Sequence, residues 1–190
     1  MFIQTENTPN PQTIKFLPGQ TVMTDGTASF TNKEDAQTSP LAQALFKLDN
    51  IIGIFFGHDY ISITKTPEAE WDTIKPHALT TIMEHFVSNQ PLFLDSKGAQ
   101  TSTTTHSTAT DDDDPIVIQI KELIDTRVRP AVAEDGGDII FHGFENGVVY
   151  LEMHGACAGC PSSTVTLKNG IENLLRHYVP EVDAVEAVEN

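Results

Sequence analysis

The chain is short of cysteine, of positive charge and of unbroken apolar sequence. Only two cysteines occur in 190 residues. Both lie in Cys157-Ala158-Gly159-Cys160, where a bridge would close so small a loop that it would cross-link almost nothing. No disulfide framework is built from that pair, and the cysteine usage predicts a reducing compartment. Lysine and arginine together number 11 against 27 aspartates and glutamates, a formal net charge of -16 that repels nucleic acid and anionic membrane surfaces. Acids exceed bases throughout: 10 to 5 over residues 1–94, 5 to 1 over 95–114 and 12 to 5 over 115–190. Spread in this way, the acidity reads as a solvated surface rather than an acidic tail. The longest apolar run, Ile51 to Phe56, is broken by Gly53 and falls far short of the ~20 residues of a membrane span. Met1-Phe2-Ile3-Gln4-Thr5-Glu6 has neither the basic and apolar regions of a secretory signal nor the arginines of a transit peptide. The expectation is a chain at work in a bacterial cytoplasm or, as a mature eukaryotic form, in the mitochondrial matrix.

A hydrophobic content of 39% is enough for packed cores, and the pattern predicts an α+β protein of two small mixed domains joined by a flexible linker. The first domain is expected over residues 1–94. In it Thr13-Ile14-Lys15-Phe16-Leu17 reads as a strand ended by Pro18-Gly19, and Ser39-Pro40 opens a helix with Leu41, Leu45 and Leu48 inward. Ile51 to Phe56 and Tyr60 to Thr64 flank the turn Gly57-His58-Asp59 as a hairpin. Thr66-Pro67 is predicted to start a second helix, with Trp71, Ile74, Ile82, Met83 and Phe86 as core and Pro76 as a kink or break. His58, His77 and His85 have no ligand spacing and read as turn, surface or satisfied core residues.

Between Asp95 and Asp114 the composition turns to serine and threonine and ends in four aspartates, too little apolar surface to offset chain entropy, hence the linker. Asp114 ahead of Pro115 is expected to cap the first helix of the second domain, residues 115–190. Val117, Ile120, Ile124 and Val128 mark that helix's inner face, and Pro130 should kink or shorten it. Asp135-Gly136-Gly137-Asp138 reads as a tight turn with positive φ rather than a catalytic or calcium-binding pair. A hairpin over Glu145-Asn146-Gly147 joins Ile139 to Phe144 with Val148 to Met153, and the second strand runs into the cysteines. A helix then carries Leu167, Ile171, Leu174, Leu175 and Tyr178 on one face, Pro180 stops it, and Val182 to Val188 forms a last strand. The expected order is helix, strand, strand, helix, strand.

The cysteines thus sit on a strand-loop-helix corner, Gly155-Ala156-Cys157-Ala158-Gly159-Cys160-Pro161. Small residues at every intervening position are expected to leave both sulfurs uncovered. Pro161 suits the first helical position, which makes Cys160 the N-cap, where free backbone N–H groups and the helix dipole lower a thiol's pKa. A 2Fe-2S or 4Fe-4S cluster is normally held by four thiolates, and this chain has two. Two subunits bringing their loops together supply four, so dimerisation and cluster binding become one event at a two-fold interface. Two rivals use the same residues. A thiol-disulfide oxidoreductase also has a Cys-x-x-Cys at a helix start, although here the motif comes late, after a hairpin. A structural zinc site would recruit His154, but one chain lacks a fourth ligand and His154 alternates with Val148, Tyr150 and Glu152 on one strand face.

The run from Ile120 to Val188, with Arg129-Pro130-Ala131-Val132, Asp135-Gly136-Gly137-Asp138 and Gly155-Ala156-Cys157-Ala158-Gly159-Cys160-Pro161-Ser162-Ser163, resembles the NifU-like domain of iron-sulfur cluster scaffold and carrier proteins. The opening segment is similar to the N-terminal domain of the two-domain Nfu members. There the likeness rests on Thr5-Glu6-Asn7-Thr8-Pro9-Asn10-Pro11, Lys15-Phe16-Leu17-Pro18-Gly19, Ser39-Pro40-Leu41 and Phe55-Phe56-Gly57. The resemblance implies a non-enzymatic scaffold or carrier whose 4Fe-4S cluster bridges two subunits through Cys157 and Cys160, with a 2Fe-2S form also open. It implies a homodimer on cluster binding, upstream cluster-assembly proteins and apo iron-sulfur clients as partners, and neither nucleic acid nor membrane.

Overall fold

The computed structural model describes residues 2–94, 114–158 and 161–188, so the expected linker over 95–113 and the expected capping cysteine, Cys160, lie outside the described residues. The fold is α+β, in two units that divide between Thr103 and Thr104.

The first unit is a five-stranded antiparallel sheet in the order β1-β2-β5-β4-β3, made of β1 (Gln4–Asn7), β2 (Thr13–Leu17), β3 (Ala28–Phe30), β4 (Ile51–Phe56) and β5 (Ile61–Lys65). Two helices, α1 (Pro40–Leu45) and α2 (Trp71–Val87), supply the rest of its core. Phe16, Ile54, Phe56, Ile61 and Ile63 from the sheet share one buried cluster with Leu41, Leu45, Ile74, Ala78 and Ile82 from the helices. Each fully buried Leu, Ile or Phe stabilises the unit by roughly 1.5–3 kcal/mol. Ser39 caps α1 as its sequence predicts, accepting the N–H of Ala42 at 3.3 Å.

Four expectations for this unit need correction. Helix α2 starts at Trp71 rather than at Thr66, after a turn in which Ala69 N–H donates to Thr66 O. It runs through Pro76 without a break, because that proline sits early in the helix and removes only one intrahelical bond. Met83 is exposed, not core. Of the three histidines, His58 bonds the Met23 carbonyl through Nδ1 and His77 bonds that of Thr73, whereas His85 is buried with an Nε2 that makes no hydrogen bond. Burial pushes the His85 pKa down.

The second unit opens with one continuous helical stretch. Asp114 caps it through a 2.9 Å bond from Ile116 N–H, α3 (Pro115–Leu123) passes into a π-helical turn over Ile124–Val128, and α4 (Arg129–Glu134) follows. The regular α-helix ends at Leu123, as the expected shortening requires, but the helical stretch continues through Pro130. The wider turn, in which Arg129 N–H reaches back to Ile124 O, makes room for a residue that lacks a donor and crowds the carbonyl of the preceding turn. Strands β6 (Gly137–Glu145) and β7 (Val148–Gly155) pair antiparallel across Asn146 and Gly147, which take the positive φ values of 50° and 81° that a two-residue hairpin loop requires. Helix α5 (Pro161–Tyr178) carries the chain back so that β8 (Ala184–Val188) pairs parallel to β7. Ile139, Val149, Leu151 and Val185 from the sheet share a buried cluster with Ile120, Ile124, Val128, Ile171 and Leu175 from the helices. Tyr178 is exposed instead, its ring lying 5.0 Å from the Arg127 guanidinium.

Candidate metal centre

Strand β7 delivers the chain to the cysteine loop, and the start of β6 receives it. Gly137 pairs with Gly155 across the two strands, and on either side of that pair Gly136 and Gly155 adopt φ values of 80° and 65°, which side chains with a Cβ rarely take. The turn folds back over β6: Ala156 N–H donates to Gly136 O at 3.1 Å and Ala158 N–H to Gly155 O at 3.1 Å. Cys157 therefore lands on Gly137. A Cβ placed on Gly137 would stand 2.7 Å from Cys157 Sγ and 2.6 Å from the His154 carbonyl oxygen, so only glycine admits this approach.

The expectation that both sulfurs are uncovered fails for Cys157, which is 5% exposed and belongs to the same buried cluster as Ile139, Leu151 and Ile171. Small neighbours did not leave it open; they let the loop collapse onto the sheet. Its pKa is pushed up to about 12, first by burial and then by the negative charges of Asp135 and Asp138. The lowered pKa predicted for Cys160 falls outside the described residues.

The expected tight turn takes positive φ at Gly136 alone, Gly137 and Asp138 already belonging to β6, and one of its aspartates is tied down. Arg129 grips Asp138 with two 2.9 Å bonds, Nε to Oδ1 and a terminal nitrogen to Oδ2, and reaches Asp125 at 3.3 Å. Asp138 is 4% exposed and also accepts the N–H of Ile139. The Arg129 pKa is raised, chiefly by its hydrogen bonds to Asp138. Nothing in the spacing of Arg129 and Asp138 announces this pair, since it closes only once the helix has packed against the sheet.

His154 pairs with Asp138 in the register and directs its side chain to Glu152, whose other oxygen bonds His142. Its Nε2 is 3.2 Å from Glu152 Oε1 yet off the line a hydrogen bond needs, and is buried without a bonded partner. Among the described residues no three His, Cys, Asp or Glu side chains are grouped to hold a metal ion. What the described part of the chain brings to its motif is one thiol, its partner coming three residues later in the sequence.

Comparison with known proteins gives this corner its context. Residues 3–89 match the family described as scaffold protein Nfu/NifU N terminal, and residues 120–186 match the NifU-like domain. The chain belongs to the Nfu/NifU family. Among curated relatives, this Nfu/NifU chain is 50% identical over 188 residues to NifU-like protein 4, mitochondrial, of Arabidopsis thaliana, covering 98% of this chain and 65% of that protein. It is 50% identical over 189 residues to NifU-like protein 5, mitochondrial, of the same plant, covering 98% and 67%. It is 52% identical over 189 residues to the NFU1 iron-sulfur cluster scaffold homolog, mitochondrial, of Drosophila sechellia, covering 99% and 65%. The chain thus spans just under two thirds of the first of these relatives. A solution structure of a NifU-like protein from Saccharomyces cerevisiae matches at a TM-score of 0.46 and 21% identity, over 50% of this chain and 87% of that one.

Proposed function

We propose that this Nfu/NifU chain is an iron-sulfur cluster scaffold or carrier, not an enzyme, which holds a 4Fe-4S cluster between two subunits through Cys157 and Cys160 and hands it to apo-proteins. The observation that carries the reading is the shortage of donors: two cysteines in the whole chain, both in one Cys-x-x-Cys motif, and no third ligand grouped with Cys157 among the described residues. A cubane takes four thiolates, so a second copy completes the set. The name of the Drosophila relative, an iron-sulfur cluster scaffold homolog, supports the cargo, and the mitochondrial relatives support work in the mitochondrial matrix. A cluster held by two loops, rather than inside a cage, is open to attack by a client's thiolates and is easily surrendered. The partners that follow are a second copy of the chain, upstream assembly proteins and apo iron-sulfur clients. A 2Fe-2S form satisfies the same donor count.

Transfer is the test. Mixed anaerobically with an apo-enzyme whose activity requires a 4Fe-4S cluster, in the presence of a chelator that captures free iron, the loaded protein should restore activity. Free iron and sulfide at the same concentration should not. Equal recovery from both, or none from the loaded protein, would remove the carrier role.

A further inference from the structure

The cluster reading needs Cys157 at a surface that a second chain can reach, whereas the fold keeps its side chain in the core of the second unit. Three features hold it there. Gly137 has no side chain, and Cys157 occupies the volume that one would fill. The backbone of the loop is pinned to β6 by the bond from Ala156 N–H to Gly136 O. Gly136 and Gly155 adopt the left-handed conformations that fold the loop back onto the strand it faces. By contrast Ala158, the next residue, is exposed, so the covered segment ends at Cys157.

We propose that Cys157 is a latched ligand: in the cluster-free chain it is stored against Gly137, and taking up or releasing cargo requires residues 155–158 to lift off β6 while the rest of the unit stays folded. This proposal rests on the cluster reading for its purpose but not for its test. The lift gives up the Ala156-to-Gly136 hydrogen bond and the terminal Gly137–Gly155 strand pairing and exposes a short segment, a local opening of the kind that folded proteins undergo far more often than global unfolding. The latch hides one thiol of the pair from oxidants until a second chain or a donor protein captures the open form. It also makes the rate of loading depend on loop opening, not only on encounter.

The full chain carrying Cys160→Ser has Cys157 as its only thiol, and alkylation of the cluster-free protein by iodoacetamide, followed by mass, reports that thiol alone. The latch predicts that native Cys157 reacts at least about tenfold more slowly than in the same protein unfolded in urea. It further predicts that the native rate stays flat as urea is added below the unfolding transition, because a loop opening exposes little surface. A rate less than about tenfold below that of the unfolded chain overturns the storage of Cys157. A slow rate that climbs with urea in step with global unfolding overturns the lift. No iron enters this experiment, so its failure leaves the cluster reading standing, and that reading falls separately if the wild-type chain takes up no iron and sulfide.

Discussion

Cys157→Ala protein, treated anaerobically with iron and sulfide, will stay colourless and monomeric, and Cys160→Ala protein will do the same. Each substitution halves the thiolates that two chains supply, leaving two where a 2Fe-2S or 4Fe-4S cluster normally takes four. Water or a nearby carboxylate is a poor replacement for thiolate at iron that also carries sulfide. The loss is expected to be complete rather than graded, because cluster and dimer form together. Misfolding is not the cause anticipated for Cys157→Ala: deleting one buried sulfur against Gly137 costs about 1 kcal/mol, and alanine fits wherever cysteine does. Circular dichroism matching the wild type, alongside absent visible absorption and absent bound iron, is the expected pattern. A variant that folds, turns brown and retains the wild-type iron content would show that Cys157 is not a ligand.

The second large effect falls on stability. Arg129→Ala leaves the Asp138 carboxylate buried with its two 2.9 Å guanidinium bonds gone, the Ile139 N–H still donating to it. Removing one partner of a buried pair typically costs 3–5 kcal/mol, and the partly exposed Arg129, open to solvent at 40% of its side chain, lowers the expectation to about 2–4 kcal/mol. That is a large share of the stability of a unit this small. The damage reaches the candidate site because Asp138 follows Gly137, on which Cys157 rests, and pairs across the sheet with His154. Asp138→Asn in the Arg129→Ala background removes the uncompensated charge and should restore part of the loss. The chain's single tryptophan, Trp71, lies in the first unit, so its fluorescence in a urea titration should hold its midpoint while far-ultraviolet dichroism reports earlier unfolding of the second. A change below about 1 kcal/mol would mean that the carboxylate finds water or another donor when the guanidinium leaves.

Much of this architecture is legible from local chemistry. Ser39-Pro40 and Asp114-Pro115 cap their helices because side chain and backbone of neighbouring residues decide the matter, and Asn146-Gly147 fixes its hairpin for the same reason. The apolar run Ile51–Phe56 and the helical spacing of Val117, Ile120, Ile124 and Val128 point to buried positions, and Ile51, Ile54 and Phe56 and all four helix residues are indeed buried, although Ile52 is exposed. What the sequence conceals is set by distant neighbours. Strands β1 and β3 are short edges, β1 without a buried residue and β3 with one, so neither has an apolar pattern of its own. Pro130 was expected to kink or shorten its helix, and the form this takes, a π-helical turn just ahead of it, has no signature in the spacing. The covering of Cys157 depends on Gly137, a residue whose sequence context suggests positive φ and whose actual role is an absent side chain. Likewise the identity of the two thiols as a motif is plain from spacing, while the state of either one is not.

The account depends on two chains completing one coordination sphere, and the direct measurement is the composition and mass of the reconstituted wild-type protein. Light scattering on the brown fraction, with iron and acid-labile sulfide counted on the same sample, should give a dimer with about four irons and about four sulfides per two chains. A monomer carrying that full complement of sulfide would contradict it.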